Sequence, residues 1–392
     1  MLKPVAPPPG RVRRLMLLYG LGSVLAPTVH AAYPSGSPSD PSGGRALRFP
    51  RDHGSHPEQR IEWWYITGHC TAGSAAQPRA FGFQLTFFRA RVDVAQQMRS
   101  RFAARQLLFA HAAVTDVQGK RFWHAQRIAR QGFDVARADE QDTALRLYGW
   151  SLERRSSGYV ARVESPEIAL ELAFSSTQGL LLQGANGLSR KGPQAQQASY
   201  YYSQPQLALE GSLGVGGQRF AVSGNAARNA SGSAVPAQGA AWLDHEWSDA
   251  LMHPDAVGWD WIGMNLFDGS SLMAFQMRDK AGKVLWDGGS FRQSTQPGNS
   301  TPTIFVAGQV RFQTLRSWKS PLTQASYPVE TVVHTPVGQY TVRALLDNQE
   351  LDSSNSTGAV YWEGVCDLLD AQQQSVGRGY LEMTGYAKPL VF

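Results

Sequence analysis

The chain has 392 residues, of which 17% are charged and 42% hydrophobic, and a formal net charge of +6. Soluble proteins usually carry roughly a quarter charged residues, so this deficit calls for barrel wall or apolar cavity where charged surface would normally stand. Residues 1–31 contain Lys3, Arg11, Arg13 and Arg14 and no acid; without them 33 basic residues face 31 acidic ones, and no Lys/Arg block remains to neutralise a row of phosphates. Nucleic acid is thereby excluded as a partner.

At the N-terminus Arg11, Arg13 and Arg14 precede the apolar run LMLLYGLGSVLA, which ends at Val29-His30-Ala31-Ala32. This is the pattern of a cleavable export signal over residues 1–31, and the Arg13-Arg14 pair is compatible with both the twin-arginine and the Sec route. The run is too short to cross a bilayer, and a Pro/Ser/Gly stretch follows it, so residues 32–50 read as a flexible leader. The expectation is an exported protein, periplasmic or secreted, with no transmembrane span in the mature chain.

From residue 51 onward, short apolar or period-two runs bounded by Gly, Pro, Ser or Asn recur. They begin with Ile61 to Cys70, Ala80 to Arg89 and Leu107 to Thr115, and end with Val360 to Asp367 and Gly379 to Tyr386. Such spacing is the signature of an all-β protein. Roughly sixteen strands suit two consecutive antiparallel barrels of about eight strands, a size whose interior can hold one small ligand. The Gly/Ala/Ser/Asn stretch 225–238 reads as a linker, which sets an N-terminal barrel at 51–224 and a C-terminal one at 239–392. Val92 to Gln106 is the one predicted helix. A weak internal echo, EWWY then FGFQLTFF and DHEW then GWDWIGMNLF, fits two copies of one barrel unit.

Four acidic-aromatic clusters stand out. In the first, alternation places Glu62, Trp64 and Ile66 on one face and Trp63, Tyr65 and Thr67 on the other. In the second, Trp242, Asp244 and Glu246 share a face opposite Leu243, His245 and Trp247. The third is Trp259-Asp260-Trp261, with Asp260 pointing away from both rings. The fourth joins Tyr361-Trp362-Glu363 to Tyr380-Leu381-Glu382. An acid beside one tryptophan is ordinarily a solvated carboxylate or an indole partner, but four such pairs compose an apolar interior with convergent acids, as in a ligand site. A carboxyl against indole rings is raised by desolvation and suited to donate a proton.

Other chemistries fail on spacing. His245-Glu246 lacks the following histidine of a zinc-protease helix, no Gly-x-Ser-x-Gly occurs, and Gly214, Gly216 and Gly217 have no strand-to-helix context for a phosphate loop. No metal ligand set and no cofactor is predicted. Cys70 and Cys366, the only cysteines, leave two readings open, a disulfide closing a long loop or two separate buried thiols.

At these clusters the chain resembles the AttH-like family, related to carotenoid 1,2-hydratase (hydroxyneurosporene synthase) and often labelled predicted secreted hydrolases. The resemblance is carried by HPEQRIEWWYITGH at 56–69, FGFQLTFFR at 81–89, KGPQAQQASYYYSQPQL at 191–207, WLDHEWS at 242–248 and GWDWIGMNLFDG at 258–269. It implies two lipocalin-like barrels. In the hydratase branch an acid protonates an isolated alkene, aromatic rings stabilise the cation, and water adds. Asp244-His245 is similar to the Asp-His of that branch, whereas Glu246-Trp247 departs from it, so no carotenoid substrate is implied.

The resulting expectation is a protein binding a long apolar ligand (isoprenoid, polyene or lipid), with hydratase (lyase) activity. Asp244, His245 and Asp260 are the candidate catalytic residues, with His245 organising the attacking water beside Asp244. Glu62, Trp64, Tyr65, Tyr201, Glu246, Trp247, Trp259 and Trp261 are the candidate ligand-binding residues. The rival is a non-catalytic lipid or lipoprotein carrier working beside an ABC-type export transporter, which needs the cavity but no proton donor.

Overall fold

The computed structural model describes residues 44–74, 77–156, 158–222, 239–250, 252–294 and 301–390. The export-signal and 225–238 linker expectations, and the leader before Gly44, lie outside these residues.

Two sheets carry the chain. The first begins with β1 (Ile61–Ser74), β2 (Gln77–Arg91), β3 (Gln106–Asp116) and β4 (Arg121–Arg130). A meander of shorter strands follows: β5 (Ala136–Ala138), β6 (Ala144–Leu147), β7 (Trp150–Arg155), β8 (Gly158–Glu164) and β9 (Ile168–Ser175). Then come β10 (Leu181–Leu182), β11 (Leu188–Arg190), β12 (Ala198–Val215), β13 (Gln218–Val222) and β14 (Gly239–Ser248). Their main order is β4-β3-β2-β1-β14-β12-β9-β8-β7-β6-β5, every pairing antiparallel.

The second sheet contains β15 (Gly258–Leu266), β16 (Ser271–Arg278), β17 (Val284–Arg292), β18 (Thr303–Phe305) and β19 (Arg311–Lys319). It is completed by β20 (Ser326–Thr335), β21 (Gly338–Ala344), β22 (Glu350–Ser353), β23 (Ala359–Leu369) and β24 (Ser375–Met383). Its order is β18-β17-β16-β15-β24-β23-β21-β20-β19, with β22 on β23. The fold is thus all-β with two barrels, as the strand spacing predicts, and they are lipocalin-like, as the family resemblance implies.

Three sequence expectations need correction. β14, assigned to the second barrel, lies between β1 and β12 in the first sheet, with Tyr65 opposite Asp244 and Glu62 opposite Trp247. DHEW therefore pairs with EWWY instead of repeating it, and the first sheet runs on to Ser248. The predicted helix at 92–106 is a single turn of 3-10 helix, Asp93–Ala95, because its Arg/Gln-rich sequence has no apolar stripe to bury. The leader is also tied down before residue 50: the Arg45 guanidinium grips Asp52 through two 2.7 Å bonds, and its amide donates to the Tyr200 hydroxyl at 2.9 Å.

Period-two alternation splits each central strand between two interiors. Trp64, Ile66, Leu243 and Trp247 enter the core of the first barrel, and Ile262, Met264, Trp362 and Leu381 that of the second. The opposite faces of the same strands, Tyr65, Trp242, Trp261, Val365 and Tyr380, meet in a third apolar cluster between the barrels. Close approach there depends on Gly82, where an added Cβ would lie 2.6 Å from the Val365 Cβ. A bulge in β12 at Gln206 (φ 55°) turns that side chain to donate to Leu266 and Ser270 carbonyls of the second sheet.

Candidate active site between the two barrels

The cavity between the barrels has a volume of about 550 Å³, within the range of pockets that hold drug-sized ligands. One wall is the outward row of the first barrel, where β1 and β14 place Tyr65 beside Asp244 and β12 adds Ser203 on the far side. The facing wall is a row across β15, β24 and β23, in which Trp261, Glu382 and Glu363 stand directly opposite one another.

Asp244 is 2% exposed and accepts three hydrogen bonds. Ser203 Oγ and Trp242 Nε1 donate to Oδ1, and the Tyr201 hydroxyl to Oδ2, each at 2.6 Å. Tyr201 in turn accepts the Trp261 indole N–H at 3.1 Å. Burial pushes the Asp244 carboxyl up to about 7, prevailing over these three donors, and the neighbouring Glu246 adds to the rise. The result is an acid of which about half still carries its proton at neutral pH, set among aromatic rings. Glu246 is ion-paired: the Lys191 ammonium holds it at 3.1 Å while lying over the Phe275 ring, 4.2 Å from its centroid.

The other candidates separate by strand face. Six come together on the cavity: Tyr65, Tyr201, Asp244, Glu246, Trp259 and Trp261. Trp64, His245 and Trp247 do not; they lie in the first barrel's interior, because alternation sends His245 to the opposite side of β14 from Asp244. His245 therefore cannot organise water beside Asp244. Asp260 points into the second barrel, held by Gln276 Nε2 at 2.7 Å, the Tyr386 hydroxyl at 3.0 Å and Arg278 Nε at 3.2 Å.

Glu62 borders the cavity but is only 1% exposed and fully engaged. His56 Nδ1 (2.7 Å) and His245 Nε2 (2.9 Å) meet its Oε1, while the His56 amide and Arg89 Nε (both 2.8 Å) donate to Oε2. Burial alone would raise this carboxyl; the bonds from His245 and His56 and the Arg89 charge more than offset it and hold it well below the usual range. Burial brings His245 down to about 4, so it is neutral, whereas His56 is raised in spite of burial by Asp52 and Glu62. The His56 ring stacks on Trp247 at 3.8 Å. His56, Glu62 and His245 are close enough to hold a metal ion, yet Arg89 already supplies the positive charge there. This network joins the strands of the first barrel.

Sequence reasoning passed over Lys191, Ser203 and Phe275, which alternation alone does not relate to Asp244. It noted Glu363 and Glu382 but gave them no role; strand pairing is what places them in the cavity. Burial pushes Glu382 up to about 7, with Trp259 hydrogen-bonded to it and Asp244 and Glu246 facing it; burial and the neighbouring Glu382 charge likewise raise Glu363 well above the usual carboxylate range. Cys70 and Cys366 are separate buried thiols, one in each barrel core, so the disulfide reading is overturned.

The AttH-like family matches residues 40–386. A crystal structure of an AttH protein from Nitrosomonas europaea is 41% identical, covers 89% of this chain and 99% of its own, and superposes with a TM-score of 0.76. Kievitone hydratase from Nectria haematococca shares the fold at 13% identity and TM-score 0.64, covering 88% of this chain and 94% of its own. CghA in complex with Sch210972 follows at 11% identity and TM-score 0.50, covering 85% and 89%. No curated protein sequence matches the chain.

Proposed function

Because the chain belongs to the AttH-like family, we propose that it is a hydratase-type lyase acting on an apolar, unsaturated ligand held between its two barrels. Asp244 carries this reading: a buried carboxyl raised to about 7, facing an aromatic cavity, is the group that alkene protonation requires. Its proton forms a C–H bond with the alkene π pair. The neighbouring carbon becomes a cation, stabilised by the aromatic lining that includes Trp261, and water adds there. A named hydratase of the same fold is compatible with this chemistry. The basic, apolar N-terminus further supports export of the chain.

The test uses geranylgeraniol as probe in oxygen-18 water, with products read by mass spectrometry. An alcohol carrying one labelled oxygen is expected. Tight binding of the probe and of related polyenes with no labelled product would replace the enzyme by a carrier.

A further inference from the structure

The cavity holds two carboxyls that protonation by Asp244 leaves unused. Glu363 and Glu382 are directly opposed between β23 and β24, which brings their Cβ atoms to about 4.5–5.5 Å. Glu363 is 2% exposed, and the polar group set against its carboxyl is the Tyr65 hydroxyl. Both acids line the cavity that Asp244 lines from the other side. Two carboxyls side by side and out of water cannot both ionise, since each charge raises the cost of the other.

We infer that Glu363 and Glu382 hold one proton between them and act as the base of the same reaction, accepting the proton of the water that attacks the cation. The inference rests on the hydration reading. Glu382 is the less buried of the two, so it meets the water, and Glu363 beside it keeps the pair singly charged. Asp244 first gives its proton to one alkene carbon. A water lone pair then forms the C–O bond with the other carbon, and the water's proton passes to the carboxylate of the pair. Return of that proton to Asp244 through solvent restores both groups, for a net addition of one water to one double bond. The pair faces Asp244 and Glu246 from β14 and Tyr65 from β1, with Tyr361, Tyr380 and the Trp259 indole on its own sheet. The cations lining the cavity are Arg60, Arg89, Arg91, Lys191 and Lys388, of which Lys191 is paired with Glu246 and Arg89 with Glu62; His111 lines it too, but burial lowers it to about 3 and leaves it neutral.

Glutamate carboxyl carbons followed by NMR in wild type, Glu363→Gln and Glu382→Gln test the shared proton, and the pH profile of geranylgeraniol turnover tests the base. One glutamate should titrate near neutrality in the wild type and fall by about a unit or more when its neighbour becomes glutamine. Glu382→Gln should lower kcat at least about a hundredfold and remove the limb that falls toward acid, whereas Asp244→Asn removes the limb that falls toward alkali. Glu382→Asp, which keeps the charge, should retain the acid limb at reduced kcat, and it serves if the glutamine variants do not fold. Wild-type kcat and profile in both glutamine variants, with Asp244→Asn inactive, would overturn the base and leave hydration standing. No turnover by the wild type would remove hydration and the base role together, and two carboxyls titrating independently near 4.5 would overturn the shared proton.

Discussion

Asp244 and His245 are adjacent in the chain but face different interiors: Asp244 accepts the Tyr201 hydroxyl at 2.6 Å in the inter-barrel cavity, and His245 meets Glu62 at 2.9 Å inside the first barrel. One strand thus carries a raised acid on one side and part of a charged structural network on the other. Asp244 and Glu62, the carboxyls of the two sides, should respond to mutation in opposite ways.

Asp244→Asn keeps the shape and can still accept from Ser203 and Trp242. Turnover should drop at least about a hundredfold with ligand binding retained. The variant should also be more stable than wild type at pH 7 to 8. A carboxyl whose folded value is raised from 3.8 to about 7 adds full relative stability below pH 3.8 and loses it progressively as pH rises to about 7. The stability gap between variant and wild type should accordingly shrink toward pH 4, as read by urea denaturation across that range.

Glu62→Gln should be destabilised by about 3 to 5 kcal/mol at pH 7, because Arg89 and His56 are left buried without their carboxylate. Glu62 is a lowered acid, so its contribution is present above its unfolded value of 4.5 and is lost as pH falls below it. Chemical denaturation at pH 7 and pH 3 checks this: the gap should narrow at the lower pH, and equal stabilities at pH 7 would contradict the network's role.

Thiol titration of the denatured, unreduced protein should find two free thiols per chain. The native protein should react slowly, since burial pushes the Cys70 thiol up to about 12. A melting temperature that drops on adding reductant would show a disulfide instead.

Gly82→Val tests whether the barrels close against each other as described. Even a single Cβ would meet Val365 at 2.6 Å and the Tyr380 hydroxyl at 2.8 Å, so the barrels must part or the strands shift. A lowered melting temperature and weaker polyene binding are expected from thermal denaturation and tryptophan-fluorescence titration; wild-type values in both would count against this contact.

Much of the fold was readable because strand alternation and turn residues are local properties. β1, β15 and β24 emerge from apolar alternation alone. β4 and β17 do not, since Arg121, Arg127 and Arg130 in one and the glycine-rich Trp286-Asp287-Gly288-Gly289 in the other interrupt the apolar period. The Asp93–Ala95 turn was misread for the converse reason, a helical composition with no apolar face to bury.

For the site, the sequence by itself determined which side chains travel together: Glu62 with Trp64, Asp244 with Glu246, Trp259 with Trp261. A period of two sorts residues into faces without saying what either face meets. Tertiary structure decided that. By inserting β14 beside β1 it opposed Asp244 to Tyr65, and by pairing β23 with β24 it opposed Glu363 to Glu382. Closing the two barrels on each other then turned their outer faces into one cavity, where exclusion of water raises the acids of one strand face while hydrogen bonds and Arg89 keep Glu62, on the other face, ionised.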